Sequence, residues 1–368
     1  MKNTMIKLVG IRILAIAALL AAGVLASAQS SQVAKNNALF NAVESETDAD
    51  NIRAAIKAGA NVNAQTSEGY TVLMLCAAHY NKNPDVVKVL IDAGANVNAV
   101  TGKGETALMF AAKSNINSDV VKTLIDAGAD VNARAADSQS ALWCAAESNT
   151  NPEVLKVLIA AGSAGAKEYS TALMRAALGN SNPDVLKVLI DAGAGVNSAT
   201  SNGETPLMFA AHYNKNPDVV KALIDAGAKV NAKNEKSVTA LMLAAAYNTN
   251  ADVVKALIDA GAKVNARNKK SATALMCAAV SNNPDVVKAL IDAGAKVNAS
   301  GENSVTALMC AASSNTNPDV VEVLIDAGAK VNAKDRYGRN ALFFLNHRED
   351  KNKFYGTAAY WKMNTMLQ

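Results

Sequence analysis

Between Thr205 and Ala232 the chain reads TPLMFAAHYNKNPDVVKALIDAGAKVNA, and its apolar positions fall into two unlike groups. Leu207, Met208, Phe209, Ala210 and Ala211 form an unbroken apolar run, which predicts a short helix buried between neighbours on both sides. Asn214 stands where that helix should stop, and asparagine there is expected to adopt the left-handed conformation of a C-terminal cap. Asn216, Pro217 and Asp218 then supply an N-cap, a proline at the first helical position and an acid facing the helix dipole. In the second helix Val219, Val220, Leu223 and Ile224 make one apolar stripe, with Asp218, Lys221 and Asp225 on the solvated side. Gly227 is read as its left-handed terminus. The polar, turn-rich stretch from Lys229 to Glu235 predicts an extended loop, or finger, before the next helix pair.

This pattern recurs. The glycine of an Ala-Gly-Ala (once Ala-Gly-Ser) phrase stands at 59, 94, 128, 162, 193, 227, 261, 294 and 328, so the intervals are 35, 34, 34, 31, 34, 34, 33 and 34. A fixed period of this length means that each unit buries its apolar face against its neighbours, not within itself.

The phrases TPLMFAA, DVVKALIDAGA and KVNA resemble the ankyrin repeat, whose pattern contains TPLHxAA, a VVxLL second helix and GAxVNA. The resemblance covers nearly the whole chain after the N-terminal segment, with first helices beginning near residues 71, 106, 140, 171, 205, 239, 273 and 306. It implies an all-α repeat solenoid of helix-turn-helix units with projecting hairpin loops, a concave binding face, and a protein partner. Two departures stand out. The histidine of TPLH is Met at Met74, Met109, Met174, Met208, Met242, Met276 and Met309, and Trp143 in the third unit, so a hydrogen-bonding tie is expected to become a packing contact. The turn between helices mostly has an Asn-x-Asn-Pro form one residue longer than the family's.

The irregular intervals can be placed. Thr71 to Ala78 holds one residue more than Thr106 to Ala112, and the loop from Gly162 to Thr171 is three residues shorter than its counterparts. The fourth unit also carries Arg175 where others have Phe, Leu or Cys. Residues 37–64 read as a polar N-terminal cap, about 65–333 as eight full units and 334–368 as a C-terminal cap, together one repeat domain over 37–368. Phe343, Phe344, Tyr360 and Trp361 are expected to seal the far end.

The first 28 residues stand outside this scheme. Lys2, Lys7 and Arg12 precede an apolar run from Ile13 to Leu25, followed by Ala26, Ser27 and Ala28, the three parts of a cleavable secretory signal. The run is shorter than the roughly 20 residues a membrane span needs. Export to a periplasm or the exterior is the expectation, with 29–36 as a short linker and no membrane span in the mature chain. Removing the three basic residues leaves 33 basic against 32 acidic side chains, a balance that does not suggest a nucleic-acid partner. Only 4% of residues are aromatic, so small side chains must build the core. Cys76, Cys144, Cys277 and Cys310 each precede Ala-Ala. Equivalent positions in stacked helices lie about 8–10 Å apart, beyond the roughly 7 Å a disulfide spans, and four free, buried thiols are expected.

Catalysis finds little support. His79, His212 and His347 fall in separate units, and no phosphate loop, nucleophile elbow or clustered metal-ligand spacing occurs. The methionine ladder could be read as a soft-metal site, but Met at one fixed position of a buried helix is ordinary packing. The chain is therefore read as a non-enzymatic, monomeric scaffold without cofactor or metal. Candidate partner-binding residues lie where the repeat stops repeating, at the two positions after Ala-Ala: His79 and Tyr80, Lys113, Glu147, His212 and Tyr213, and Tyr247. Exposed Tyr offers contact area and a hydrogen bond at low entropy cost. Later fingers are basic, with Lys236, Arg267, Lys269 and Lys270 as further candidates. They support an alternative role, a structural or envelope-associated spacer on anionic surfaces.

Overall fold

The structure is a computed structural model that describes residues 27–44, 49–80, 83–162, 165–281, 283–350 and 353–366, except the side chains of 27–30, 44, 79 and 80. The expected signal segment therefore lies outside the described residues up to residue 26. The chain divides into two compact bodies, one ending at Glu168 and one beginning at Tyr169.

In the first body the helix pairs are Ser27–Glu44 with Ala49–Lys57, Val72–Leu75 with Pro84–Asp92, Ala107–Ser114 with Ser118–Asp126, and Ala141–Ser148 with Pro152–Ala160. First helices stack on first helices and second on second. The helix from Val72 runs on as a π-turn, Cys76–Tyr80, which takes up the extra residue of this unit. Residues 29–36, expected as a linker, instead belong to the helix Ser27–Glu44. Two of them, Gln32 and Asn36, serve the first finger: Gln32 Nε2 donates to the Gly59 carbonyl (3.0 Å), and the Asn61 N–H donates to Asn36 Oδ1 (2.9 Å).

In the second body the pairs are Pro206–Tyr213 with Pro217–Asp225, Ala240–Tyr247 with Ala251–Asp259, Ala274–Val280 with Pro284–Asp292, and Ala307–Ser314 with Pro318–Asp326. Pro183–Asp191 is the second helix of the unit before them, and Ala341–Asn346 and Ala358–Thr365 close the chain. The irregular fourth unit has a physical explanation: residues Ala166–Gly179 form one 14-residue helix, so the segment that elsewhere makes a finger is wound into an extension of the first helix. Arg175 is half-buried within it.

The core is aliphatic and small. In the helix Pro206–Tyr213, Leu207, Met208, Ala210 and Ala211 are each at most 1% exposed, as are Val219, Val220 and Leu223 of its partner. Met208 sits where the family's histidine would. Its backbone N–H donates to the N-cap Thr205 Oγ1 (3.4 Å) while its side chain packs. Cys76 and Cys144 are buried as expected, whereas Cys277 and Cys310 retain partial exposure, and all four are free.

The asparagines at the ends of the first helices correct the sequence reading. Asn214 is extended (φ −86°, ψ 125°), not left-handed. Its side chain is needed elsewhere: Nδ2 donates to the carbonyls of Ala177 (3.2 Å) and Asn180 (2.7 Å) in the preceding unit, and Oδ1 accepts the Asn216 N–H (3.0 Å). Asn248 repeats this with Ala211 and Asn214, and in the first body Asn149 repeats it with Ala112 and Asn115. These asparagines are buried, so each amide satisfies helix-end carbonyls that would otherwise lack partners. At the last interface Arg348 takes over the role, its Nη1 donating to the carbonyls of Ala312 and Asn315. Arg348 is held in turn by Asp350 (2.7 Å) and lies over the Phe354 ring at 5.0 Å.

Phe354 is fully buried and anchors the C-terminal cap, unlike the four aromatics expected there. Phe343 and Trp361 are 39% and 58% exposed, and Phe344 and Tyr360 are half-buried. The charged flanks of Phe354 disguise it as a loop residue.

Candidate functional site

In each regular unit the first helix is buried through its Ala-Ala pair, and where the side chains are described the two residues after the pair are half-buried or exposed. The residues after Ala-Ala are therefore displayed by the framework and not consumed by it. In the helix Pro206–Tyr213 these are His212 and Tyr213, and in the helix Ala240–Tyr247 they are Ala246 and Tyr247.

Stacking of the two helices brings three sequence candidates together. The His212 ring lies against Tyr213, with centroids 3.7 Å apart and planes inclined by 14°, and against Tyr247 at 4.3 Å and 24°. Tyr213 and Tyr247 remain 52% and 61% exposed, so the stack presents aromatic surface to solvent. Burial pushes the His212 pKa below its ordinary value, and the negative charge of Glu204 opposes this. A neutral imidazole between two tyrosines is therefore the favoured state near neutrality.

Tyr213 also walls a shallow cleft of about 460 Å³, lined by Leu178, Gly179, Ser181, Tyr213, Lys215 and Asn216. The Asn-x-Asn turn forms its floor through Asn214, whose amide is fixed by the hydrogen bonds described above. The site is thus rigid at its base and aromatic at its edge. Such a surface suits an apolar or aromatic side chain of a partner, with polar groups at the rim.

The other candidates are placed separately. Lys236, Arg267, Lys269 and Lys270 are exposed on fingers. Neighbouring fingertips are joined by single backbone hydrogen bonds, Lys269 N–H to the Lys236 carbonyl (3.1 Å) and Glu302 N–H to the Lys270 carbonyl (3.0 Å). Arg267 has a structural commitment, since its Nη1 donates to the carbonyls of Ser271 (3.1 Å) and Ser300 (2.6 Å). Lys113 is exposed and Glu147 half-buried on first helices of the first body. The side chains of His79 and Tyr80 lie outside the described residues.

A second cleft, also of about 460 Å³, lies in the C-terminal cap; Arg339, Phe343, Phe344, His347 and Arg348 are among the residues lining it. Phe343 stacks on His347 at 4.0 Å, and the Arg339 guanidinium lies 4.7 Å from the Phe344 ring centre. The clustering of aromatics after residue 336 was its only signal in the sequence. Among the described residues no group of three or more His, Cys, Asp or Glu could hold a metal ion, and no helix is long and apolar enough to cross a membrane.

A family model described as ankyrin repeats in three copies matches residues 15–101, 39–135, 77–164, 142–234, 213–301 and 241–335. The chain is similar to the crystal structure of the human ASB11 ankyrin repeat domain, with 27% identity and a TM-score of 0.52, covering 60% of this chain and 96% of that one. A comparison with curated proteins gave no match. Ankyrin repeats generally mediate protein–protein interaction and typically form non-catalytic scaffolds. With helix pairs, fingers and matched residues running through both bodies, the chain belongs to the ankyrin-repeat family.

Proposed function

We propose that this chain is an exported, monomeric ankyrin-repeat scaffold that binds a protein partner through the ends of its first helices, centred on His212, Tyr213 and Tyr247. The observation that carries the reading is the stack itself. Two tyrosines more than half exposed, held face to face with one histidine beside a shallow cleft, form an organised aromatic surface that the fold does not need for its own packing. Export rests on the three-part N-terminal segment. The exposed basic fingers would add polar contacts to the same partner.

The test is capture from the extracytoplasmic fraction with the wild-type chain and with the Tyr213→Ala, Tyr247→Ala double variant. Loss of a specific captured protein, with unchanged folding by circular dichroism, is the expected result. Equal recovery would sink the assignment of the aromatic stack. Recovery that instead collapses when Lys236, Lys269 and Lys270 are changed to Gln would transfer the function to the fingertips, as a spacer on anionic surfaces requires.

A further inference from the structure

The base of each later finger carries a lysine at the same point of the repeat: Lys229, Lys263, Lys296 and Lys330. The backbone N–H of each donates to the side-chain oxygen of an asparagine in the preceding finger, Asn197, Asn231, Asn265 and Asn298, at 2.8, 2.7, 2.8 and 2.7 Å. The amide nitrogen of the same asparagine donates to the carbonyl of Gly227, Gly261, Gly294 or Gly328 at 2.9–3.0 Å. Each lysine is therefore stapled at its backbone to the unit before it, and the four stand in register, one per unit, about 8–10 Å apart.

The fold does not ask for lysine there. The staple uses only the backbone N–H, and in the first body it holds Asn96 and Asp130 equally well, at 2.7 and 2.8 Å. Gly195 occupies the position one unit before Lys229. The positive row is thus confined to four successive units of the second body. All four lysines are exposed, and none has an ion-pair partner among the described residues, although Asp225, Asp259, Asp292 and Asp326 lie four positions earlier in the chain. The lysines of the second helices are different: Lys221, Lys255 and Lys288 each face an aspartate three residues back on their own helix.

A row of uncommitted cations repeating once per unit at this spacing fits a linear anion of matching period. An extended polypeptide in the polyproline II conformation rises about 3.1 Å per residue with three residues per turn, so every third side chain returns to the same edge after about 9.3 Å. We propose that Lys229, Lys263, Lys296 and Lys330 form a docking track for an extended acidic polypeptide segment bearing Asp or Glu at every third residue. Four lysines match a segment of about ten residues at that rise. A planar anionic surface would be met first by the fingertips and not by a row at the finger bases. The track is a separate surface from the aromatic stack, and the two assignments stand or fall separately.

The experiment uses the full chain and two labelled peptides of identical composition, five repeats of Glu-Pro-Pro and a control with the five Glu in one block, read by fluorescence anisotropy at about 0.1 M salt, where exposed charges still interact within roughly 10 Å. The periodic peptide is expected to bind at least about fivefold tighter than the block peptide. Each single Lys→Gln change in the row should weaken it about two- to fivefold, as exposed ion pairs do, and the quadruple change should abolish binding. Changing Lys221, Lys255 and Lys288 to Gln removes three charges of the same sign and should leave binding within about twofold, and Tyr213→Ala should also leave it in place. Equal binding of the two peptides, equal loss in the second-helix control, or binding of an anionic polysaccharide with no binding of either peptide would overturn the proposal.

Discussion

Replacing Asn248 by Ala tests whether the buried asparagines couple one unit to the next. Asn248 is 4% exposed, and its side chain makes three hydrogen bonds: to the Ala211 carbonyl (3.0 Å), to the Asn214 carbonyl (2.8 Å), and from the Asn250 N–H (2.9 Å). At about 0.5–1.5 kcal/mol net for each bond, with buried partners left unsatisfied, the loss should be about 3 kcal/mol. In a repeat array this falls on one nearest-neighbour interface, so unfolding should become less cooperative as well as easier. Urea unfolding followed by circular dichroism gives the total. Hydrogen exchange should rise in the helices Pro206–Tyr213 and Ala240–Tyr247 and stay unchanged in Pro318–Asp326. Asn248→Asp sharpens the test because it keeps the acceptor for Asn250 but faces a carboxylate against two carbonyl oxygens. Its folded-state pKa must rise, so the variant should gain stability as pH falls and the carboxyl takes up a proton. A loss below about 1 kcal/mol in Asn248→Ala, with unchanged exchange in both flanking helices, would refute the coupling role.

Burial raises the thiols of Cys277 and Cys310 to about 11 and that of Cys144 to about 12, and pushes Cys76 higher still. At pH 8 the folded chain should then resist a thiol-exchange dye that attacks thiolates, releasing colour from four thiols only in denaturant, and rapid native labelling would contradict the burial. His212 has a folded pKa below its unfolded one, so its stabilising contribution is complete above about 6.5 and is lost as pH falls through the folded value. The wild-type chain should accordingly lose more melting temperature between pH 7.5 and 5.5 than His212→Gln, and equal losses would count against the half-buried placement of the imidazole between the two tyrosines. Phe354→Ala should cost about 3–5 kcal/mol locally, seen as lost exchange protection in the helix Ala358–Thr365 with Ala240–Tyr247 unaffected.

The linear pattern determined most of the architecture, because a unit that cannot bury its own stripe must repeat at a fixed length. The caps Thr205 and Asn216, the stripe Val219, Val220, Leu223, and the left-handed Gly227 (φ +88°) follow from local chemistry. The repeat also marked its own irregularities, although not their form. That the extra residue near Thr71 becomes a π-turn and that the short fourth loop becomes helix depended on where neighbouring helices left room. Asn214 reads from its neighbours as a backbone cap because the carbonyls it serves belong to the preceding unit, one of them 34 residues earlier, and a contact across that separation has no local signature. The same holds for Arg348, which replaces an asparagine in space but not in pattern, and for Phe354, buried by a cap that follows no repeat. Sequence variation alone nominated His212, Tyr213 and Tyr247 as separate candidates. Only the stacking of successive first helices, 34 residues apart, placed the two tyrosines on one histidine and made them a single surface.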